Sequence, residues 1–178
     1  MRIIEKTIKK ATLVFLVRDN EILLARKVID PIIHKPGAGK LNGFGGGFEE
    51  SETLEQCCFR ETMEESRVSI VPKSLELVAI VYFKNTKSDV SKFTCKVYCF
   101  FATEWFGNPR SGKEMIDSKW YKTSNMPWDD MIPGDKYWFE PVLSKMERIL
   151  GYIEYGPFQR EVIGKPIIKK VSTFVGHI

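Results

Sequence analysis

Glu61, Glu64 and Glu65 stand at i, i+3 and i+4 of a helix-patterned run, so their carboxylates share one helical face. Like charges at that spacing repel by roughly 0.2–0.5 kcal/mol per pair on an isolated helix. A divalent cation among them reverses the sign, and oxygen donors are what Mg2+ takes. From Glu49 to Glu65 the chain places seven glutamates and a single base, Arg60. That segment carries −6 in a chain of net charge +4, which leaves the remainder near +10. Just upstream, Gly43, Gly45, Gly46 and Gly47 let backbone approach a ligand closely and take positive φ. A glycine loop leading into a carboxylate-bearing helix suits phosphate bound through a metal. The plainer alternative is an acidic helix turned to solvent.

The elements that must position these groups are legible in outline. Thr53 followed by Gln56 reads as an N-cap and capping box, which starts the helix near Leu54. Leu54, Cys58 and Thr62 recur every fourth residue and form the expected packed face. Glu52, just ahead of the helix, is placed to pair with Arg60 as structural support. Ala11 to Val17 and Glu21 to Lys27 read as a hairpin turning at Arg18-Asp19-Asn20. Asp30 to Gly39, with Pro31 and Pro36, reads as a loop bordering the site. Leu75 to Phe83, Phe93 to Thr103 and Ile116 to Lys122 are strand candidates, with an exposed loop over Lys84 to Ser91. Lys136 to Leu150 is predicted as a second helix, striped by Trp138, Val142, Met146 and Leu150. The tail from Gly151 to Phe174 alternates enough for one or two closing strands.

A chain of 178 residues suits one domain spanning 1–178. No apolar run is long enough to span a bilayer, and the first residues lack a signal-peptide pattern. Cys57, Cys58, Cys95 and Cys99 show no metal-ligand spacing, and His34 and His177 add little toward a zinc site. Free thiols in such a chain point to a reducing, cytoplasmic setting. A balance of +4 does not call for a nucleic-acid partner. The expectation is a monomer acting on a nucleotide, with no membrane partner.

The segment resembles the Nudix box, G-x5-E-x7-R-E-U-x-E-E-x-G-U with U apolar. Gly46, Glu52, Arg60, Glu61, Glu64, Glu65 and Val68 fall on its fixed positions. Thr62 departs at an apolar site, and Arg67 replaces the last glycine, which often supports a left-handed cap. The resemblance implies an α/β fold: the Nudix α/β/α sandwich, a mixed sheet between helices. It implies a hydrolase that uses Mg2+, with Mn2+ as an alternative. The metal ligands would be Glu61, Glu64, Glu65 and a backbone carbonyl near Gly46. Glu64, Glu65 or Glu114 would accept the proton of the attacking water; Glu114 is otherwise an exposed loop carboxylate.

Leu41-Asn42-Gly43-Phe44-Gly45-Gly46 and Pro133 to Phe139 resemble the branch of the family that cleaves oxidised purine nucleoside triphosphates, such as 8-oxo-dGTP. The products there are the monophosphate and pyrophosphate, which implies nucleotide-pool sanitation. By that resemblance Thr12, Lys27, Asn42, Gly45 and Asp135 are substrate-binding residues. Asn42 also reads as a loop-capping amide, and Asp135 as a helix N-cap. Gly134 stands where the branch has a first aspartate, and Ile132 where it has a stacking tryptophan. These departures keep open another diphosphate-linked substrate: a dinucleoside polyphosphate, a nucleotide sugar or capped RNA. A non-catalytic nucleotide-binding module is the third reading, against which the three intact glutamates argue.

Overall fold

The computed structural model describes residues 8–30 and 35–178. Pro31 and His34 lie outside the described residues. Ten strands and two helices follow one another as β1 (Lys9–Arg18), β2 (Glu21–Lys27), β3 (Leu41–Asn42), α1 (Leu54–Ser66), β4 (Ser69–Ile70), β5 (Leu75–Thr86), β6 (Lys92–Ala102), β7 (Trp105–Phe106), β8 (Met115–Lys122), α2 (Asp135–Lys145), β9 (Arg148–Pro157) and β10 (Val162–Val171). The main sheet runs β10-β9-β5-β6-β1-β2-β3, with β8 also paired to β2. It is mixed, because β1–β6 and β5–β9 are parallel while the other neighbours run antiparallel.

Alternation along β1 sends successive side chains to opposite faces of the sheet. Leu13 and Phe15 join the core against Trp138, Phe139 and Val142 of α2. Val14 and Leu16 join a second core that includes Cys58 of α1. The sheet therefore lies between two helices, as expected. On the α2 side the Phe139 ring sits 4.4 Å from Phe15 and stacks on Trp138 at 4.7 Å.

Several boundaries fall where the residues placed them. Asp19 and Asn20 take positive φ in the first hairpin, as a tight turn between twisted strands requires. Thr53 caps α1 through a complete capping box. The loop after β5 is shorter than its polar composition suggested, since pairing with β6 and β9 continues to Thr86.

The second helix is corrected. It ends at Lys145, and Met146 leaves it in a left-handed conformation, 90% exposed. Leu150 belongs to β9, where Ile149, Gly151, Ile153 and Tyr155 are buried in alternation. Parallel pairing with β5 imposes the period-2 pattern on residues that also fit a helical stripe. Gly151 to Phe174 supplies the rest of β9 and all of β10. No described helix is long and apolar enough to cross a membrane.

Candidate active site

The site begins where β1 and β2 separate. They pair only beside their turn, at Val17–Ile22 and Arg18–Glu21. The glycine segment takes the vacated edge of β1: Val14 N–H donates to the Phe44 carbonyl at 2.7 Å and Thr12 N–H to the Gly46 carbonyl at 2.9 Å. Gly45, between them, turns its N–H away from β1 and donates to Glu65 Oε2 at 2.8 Å. A β-carbon at Gly45 would stand 2.0 Å from the Thr12 carbonyl oxygen, and one at Gly46 would stand 2.5 Å from Glu61 Oε1. Positive φ was the other expectation for Gly43, Gly45, Gly46 and Gly47, and none of them takes it. These two glycines serve close approach.

Helix α1 brings its carboxylates to this backbone. Glu65 is only 9% exposed, and burial pushes its carboxyl up to about 7 despite the Gly45 hydrogen bond. Burial also raises Glu61, against the opposing pull of Arg60. Glu64 is the solvent-facing member, 3.6 Å from Arg60. Arg60 Nε and Nη2 grip Glu52 at 2.8 and 2.9 Å, while Nη1 reaches Glu61 at 2.7 Å. Glu52 also accepts the Glu49 N–H. The Arg60 hydrogen bond holds the Glu52 carboxyl down at about 2. Of the expected packed face, Cys58 and Thr62 are buried and Leu54 is half-buried.

Glu61, Glu64, Glu65, Gly45, Gly46 and Gly47 line one cavity of about 550 Å3 with Lys27, Lys35, Arg67, Lys113 and Glu114. Burial lowers the Lys27 ammonium, with Glu65 pulling the other way. Glu114 is held by Lys35 at 2.8 Å. Lys113 and Arg67 were not singled out as lining residues. Arg67 had a signal, since it breaks the box where glycine is expected; Lys113 had only its place beside Glu114. Arg26 and Lys40 do not line this cavity and donate instead to the carbonyls of Gly39 and Asp129.

The donor set fits a hard divalent cation: the Glu61, Glu64 and Glu65 carboxylates converge on one cavity. Among the described residues, however, no three acidic, histidine or cysteine side chains are gathered as a metal cluster. Arg60 holds Glu61 aside. The Gly46 carbonyl, an expected ligand, already accepts from Thr12 and faces β1. Gly45 turns its backbone the opposite way, toward the carboxylates.

A model of the NUDIX domain matches residues 7–141. The chain belongs to the NUDIX family. This Nudix chain is 32% identical over 144 residues to the oxidized purine nucleoside triphosphate hydrolase of Mus musculus, covering 81% of itself and 85% of that protein. To the 8-oxo-dGTP diphosphatase of Escherichia coli (strain K12) it is 30% identical over 131 residues, covering 74% and 89%. Its fold resembles a MutT protein from Bacillus halodurans with a TM-score of 0.72 at 22% identity, covering 90% of this chain and 97% of that one.

The remaining expected substrate residues of this Nudix hydrolase do not line the carboxylate cavity. Thr12 is buried under α1, with its hydroxyl 3.2 Å from Cys57 Sγ. Asn42 turns its side-chain oxygen to the Gly43 N–H at 2.8 Å, which is the loop-capping geometry. Asp135 is buried on the α2 face and accepts from Trp138 Nε1 at 3.2 Å. It opens α2 without capping it, since Gly134 is the N-cap and makes no side-chain bond. Ile132 is 9% exposed, and its Cδ1 atom lies 2.9 Å from where a Gly37 β-carbon would stand. Trp138 is fully buried, while its neighbour Tyr137 is 52% exposed.

Proposed function

We propose that this Nudix hydrolase cleaves purine nucleoside triphosphates, oxidised ones such as 8-oxo-dGTP included, to the monophosphate and pyrophosphate in a Mg2+-dependent reaction. The observation that carries the reading is the shared cavity, in which the Glu61, Glu64 and Glu65 carboxylates face Lys27 and Lys35. The names of the mouse and bacterial relatives support the substrate class. Glu61, Glu64, Glu65 and the Gly45 carbonyl would hold Mg2+, or Mn2+ in its place. Bound there, the ion would neutralise phosphate charge and lower the pKa of water.

The chain's own groups do the rest. Lys27 and Lys35 meet the phosphate oxygens. Water adds to phosphorus, the anhydride bond to the leaving phosphate breaks, and the water's proton goes to Glu64 or Glu65. Glu114, tied to Lys35, orients that lysine. Glu52 and Arg60 hold the glycine segment and the helix in register, as Arg60 Nη2 also donates to the Gly47 carbonyl.

Product analysis over 8-oxo-dGTP, 2-hydroxy-dATP, the four normal dNTPs, diadenosine polyphosphates and ADP-ribose tests the proposal. Preference in kcat/KM for an oxidised purine triphosphate, with pyrophosphate released and activity abolished by chelation, is the expected result. Glu64→Gln or Glu65→Gln should lower kcat by about 10^2–10^4-fold with folding retained. Unchanged turnover in both variants would refute the assignment. The buried state of Ile132 and Asp135 favours a second reading, another nucleoside diphosphate-linked substrate. Preference for a dinucleoside polyphosphate or ADP-ribose in the same panel would select it.

A further inference from the structure

Arg67 closes α1 at φ 63° and ψ 27°, a left-handed conformation that glycine takes freely and a β-carbon disfavours. Loop 107–113 is strapped over the same helix end. Arg110 N–H donates to the Ser66 carbonyl at 2.9 Å. A β-carbon at Gly112 would stand 2.8 Å from the Glu65 carbonyl oxygen, so glycine is what lets the loop lie so close. This strapping brings Arg110 and Lys113 to the side of the helix end that Arg67 occupies. Arg67 and Arg110 line a second cavity of about 520 Å3 with Asn108 and Ser111. Arg67 and Lys113 also line the carboxylate cavity, so Arg67 is the wall the two share.

Among the described residues, none of the three cationic side chains has an ion-pair or hydrogen-bond partner. They do not neutralise the neighbouring carboxylates by contact, and a bound divalent cation would leave their charge in surplus. A favourable interaction with the helix C-terminus accounts for cations there, but not for an arginine kept in a left-handed position. Guanidinium groups present forks of N–H donors that match phosphate oxygens.

We propose that Arg67, Arg110 and Lys113 form an anion subsite that takes the terminal phosphate of a substrate with three or more linked phosphates, and then the pyrophosphate it leaves. The inference rests on the phosphoanhydride reading of the adjoining cavity. It makes chain length in phosphates a specificity determinant of this enzyme.

The probe is inorganic tripolyphosphate, titrated calorimetrically in the presence of Mg2+, alongside steady-state kinetics. Arg67→Gly and Arg110→Gln should each weaken tripolyphosphate by about tenfold, the scale of one lost charge-assisted contact. Arg67→Lys should recover most of that loss. KM for a nucleoside triphosphate should rise in parallel, by about tenfold, against less than about twofold for ADP-ribose, which has no terminal phosphate. Arg67→Gly restores the residue that suits the conformation, so the variant should fold, as its melting transition will report. Tripolyphosphate affinity within twofold of wild type in the folded Arg67→Gly/Arg110→Gln double variant would overturn the subsite. If the wild type cleaves no triphosphate yet tripolyphosphate still loses affinity in the variants, the substrate reading fails and the subsite stands.

Discussion

The hydroxyl of Tyr155 occupies the space that a side chain at position 134 would need: a β-carbon built on Gly134 would stand 2.0 Å from Tyr155 Oη. The tyrosine is fully buried, and its hydroxyl lies beside the Gly134 backbone without a hydrogen bond of normal geometry among the described residues. Two residues far apart in sequence thus exclude one another's alternatives. Glycine at 134 is what lets the Tyr155 ring pack there.

Gly134→Ala should destabilise the protein by about 1–3 kcal/mol, the usual cost of overpacking a filled core. Tyr155→Phe, which removes a buried hydroxyl that makes no well-formed hydrogen bond, should be neutral or stabilising by about 1 kcal/mol. The double variant should recover much of the loss. Urea unfolding midpoints of the four proteins measure the coupling, and simple additivity would show that the two positions do not compete.

Thr62 presents a related case. It is fully buried in α1 at a position the family pattern fills with an apolar residue, and its hydroxyl lacks a partner among the described residues. Thr62→Val keeps the shape and removes the stranded polar group. Stability should rise by about 1 kcal/mol, read as an increase in the denaturation midpoint at unchanged slope.

Breaking the Arg60–Glu52 pair should cost far more than a surface ion pair does. Glu52 is 9% exposed and Arg60 21%, and the contact is bidentate. Arg60→Ala leaves two carboxylates without their donor and should cost about 3 kcal/mol. In the wild type the folded Glu52 carboxyl is held at about 2, below its ordinary 4.5. Its contribution is therefore complete above pH 4.5 and fades as pH falls toward 2. Acid unfolding of Glu52→Gln should lose that part of the pH dependence; a profile matching wild type would contradict the assignment.

Asp135 has the opposite sign. Burial pushes its carboxyl up to about 7 from an ordinary 3.8. Between those values the folded chain keeps a proton that the unfolded chain has released, so stability falls as pH rises from about 4 to 7. Asp135→Asn should flatten this slope and stabilise the protein at pH 8. Each kcal/mol gained should raise Tm by roughly 2–4 °C in a chain of this size. Because Glu65 is raised to about 7 as well, thermal melts of wild type and Asp135→Asn across that interval decide it: parallel Tm profiles would exclude a buried neutral Asp135.

Much of the carboxylate machinery was readable because its determinants are close in sequence. Helical periodicity alone puts Glu61, Glu64 and Glu65 on one face, and Thr53 with Gln56 fixes where that helix begins. Glu52 lies just ahead of it, within reach of Arg60. The second helix was overextended because Met146 and Leu150 satisfy a four-residue period as well as they satisfy a strand. Thr12, Asn42 and Asp135 were assigned by resemblance, and a resemblance does not say which way a side chain turns.

Other relationships arise only when distant segments pair. The glycine segment lies on β1 because β2 departs after its turn, which leaves β1 donors that Phe44 and Gly46 satisfy. That pairing turns Gly45 toward Glu65 and Gly46 toward β1, a distinction invisible in a run of glycines. Sheet register sets Lys27 of β2 beside the carboxylates, loops carry Lys35 and Lys113 to them, and the packing of α2 on the sheet sets Gly134 against Tyr155. Side chains within one helix are placed by a local dihedral repeat, so spacing suffices to group them. Groups on separate strands meet according to register and to the face each strand buries, and those follow from the packing of the whole core.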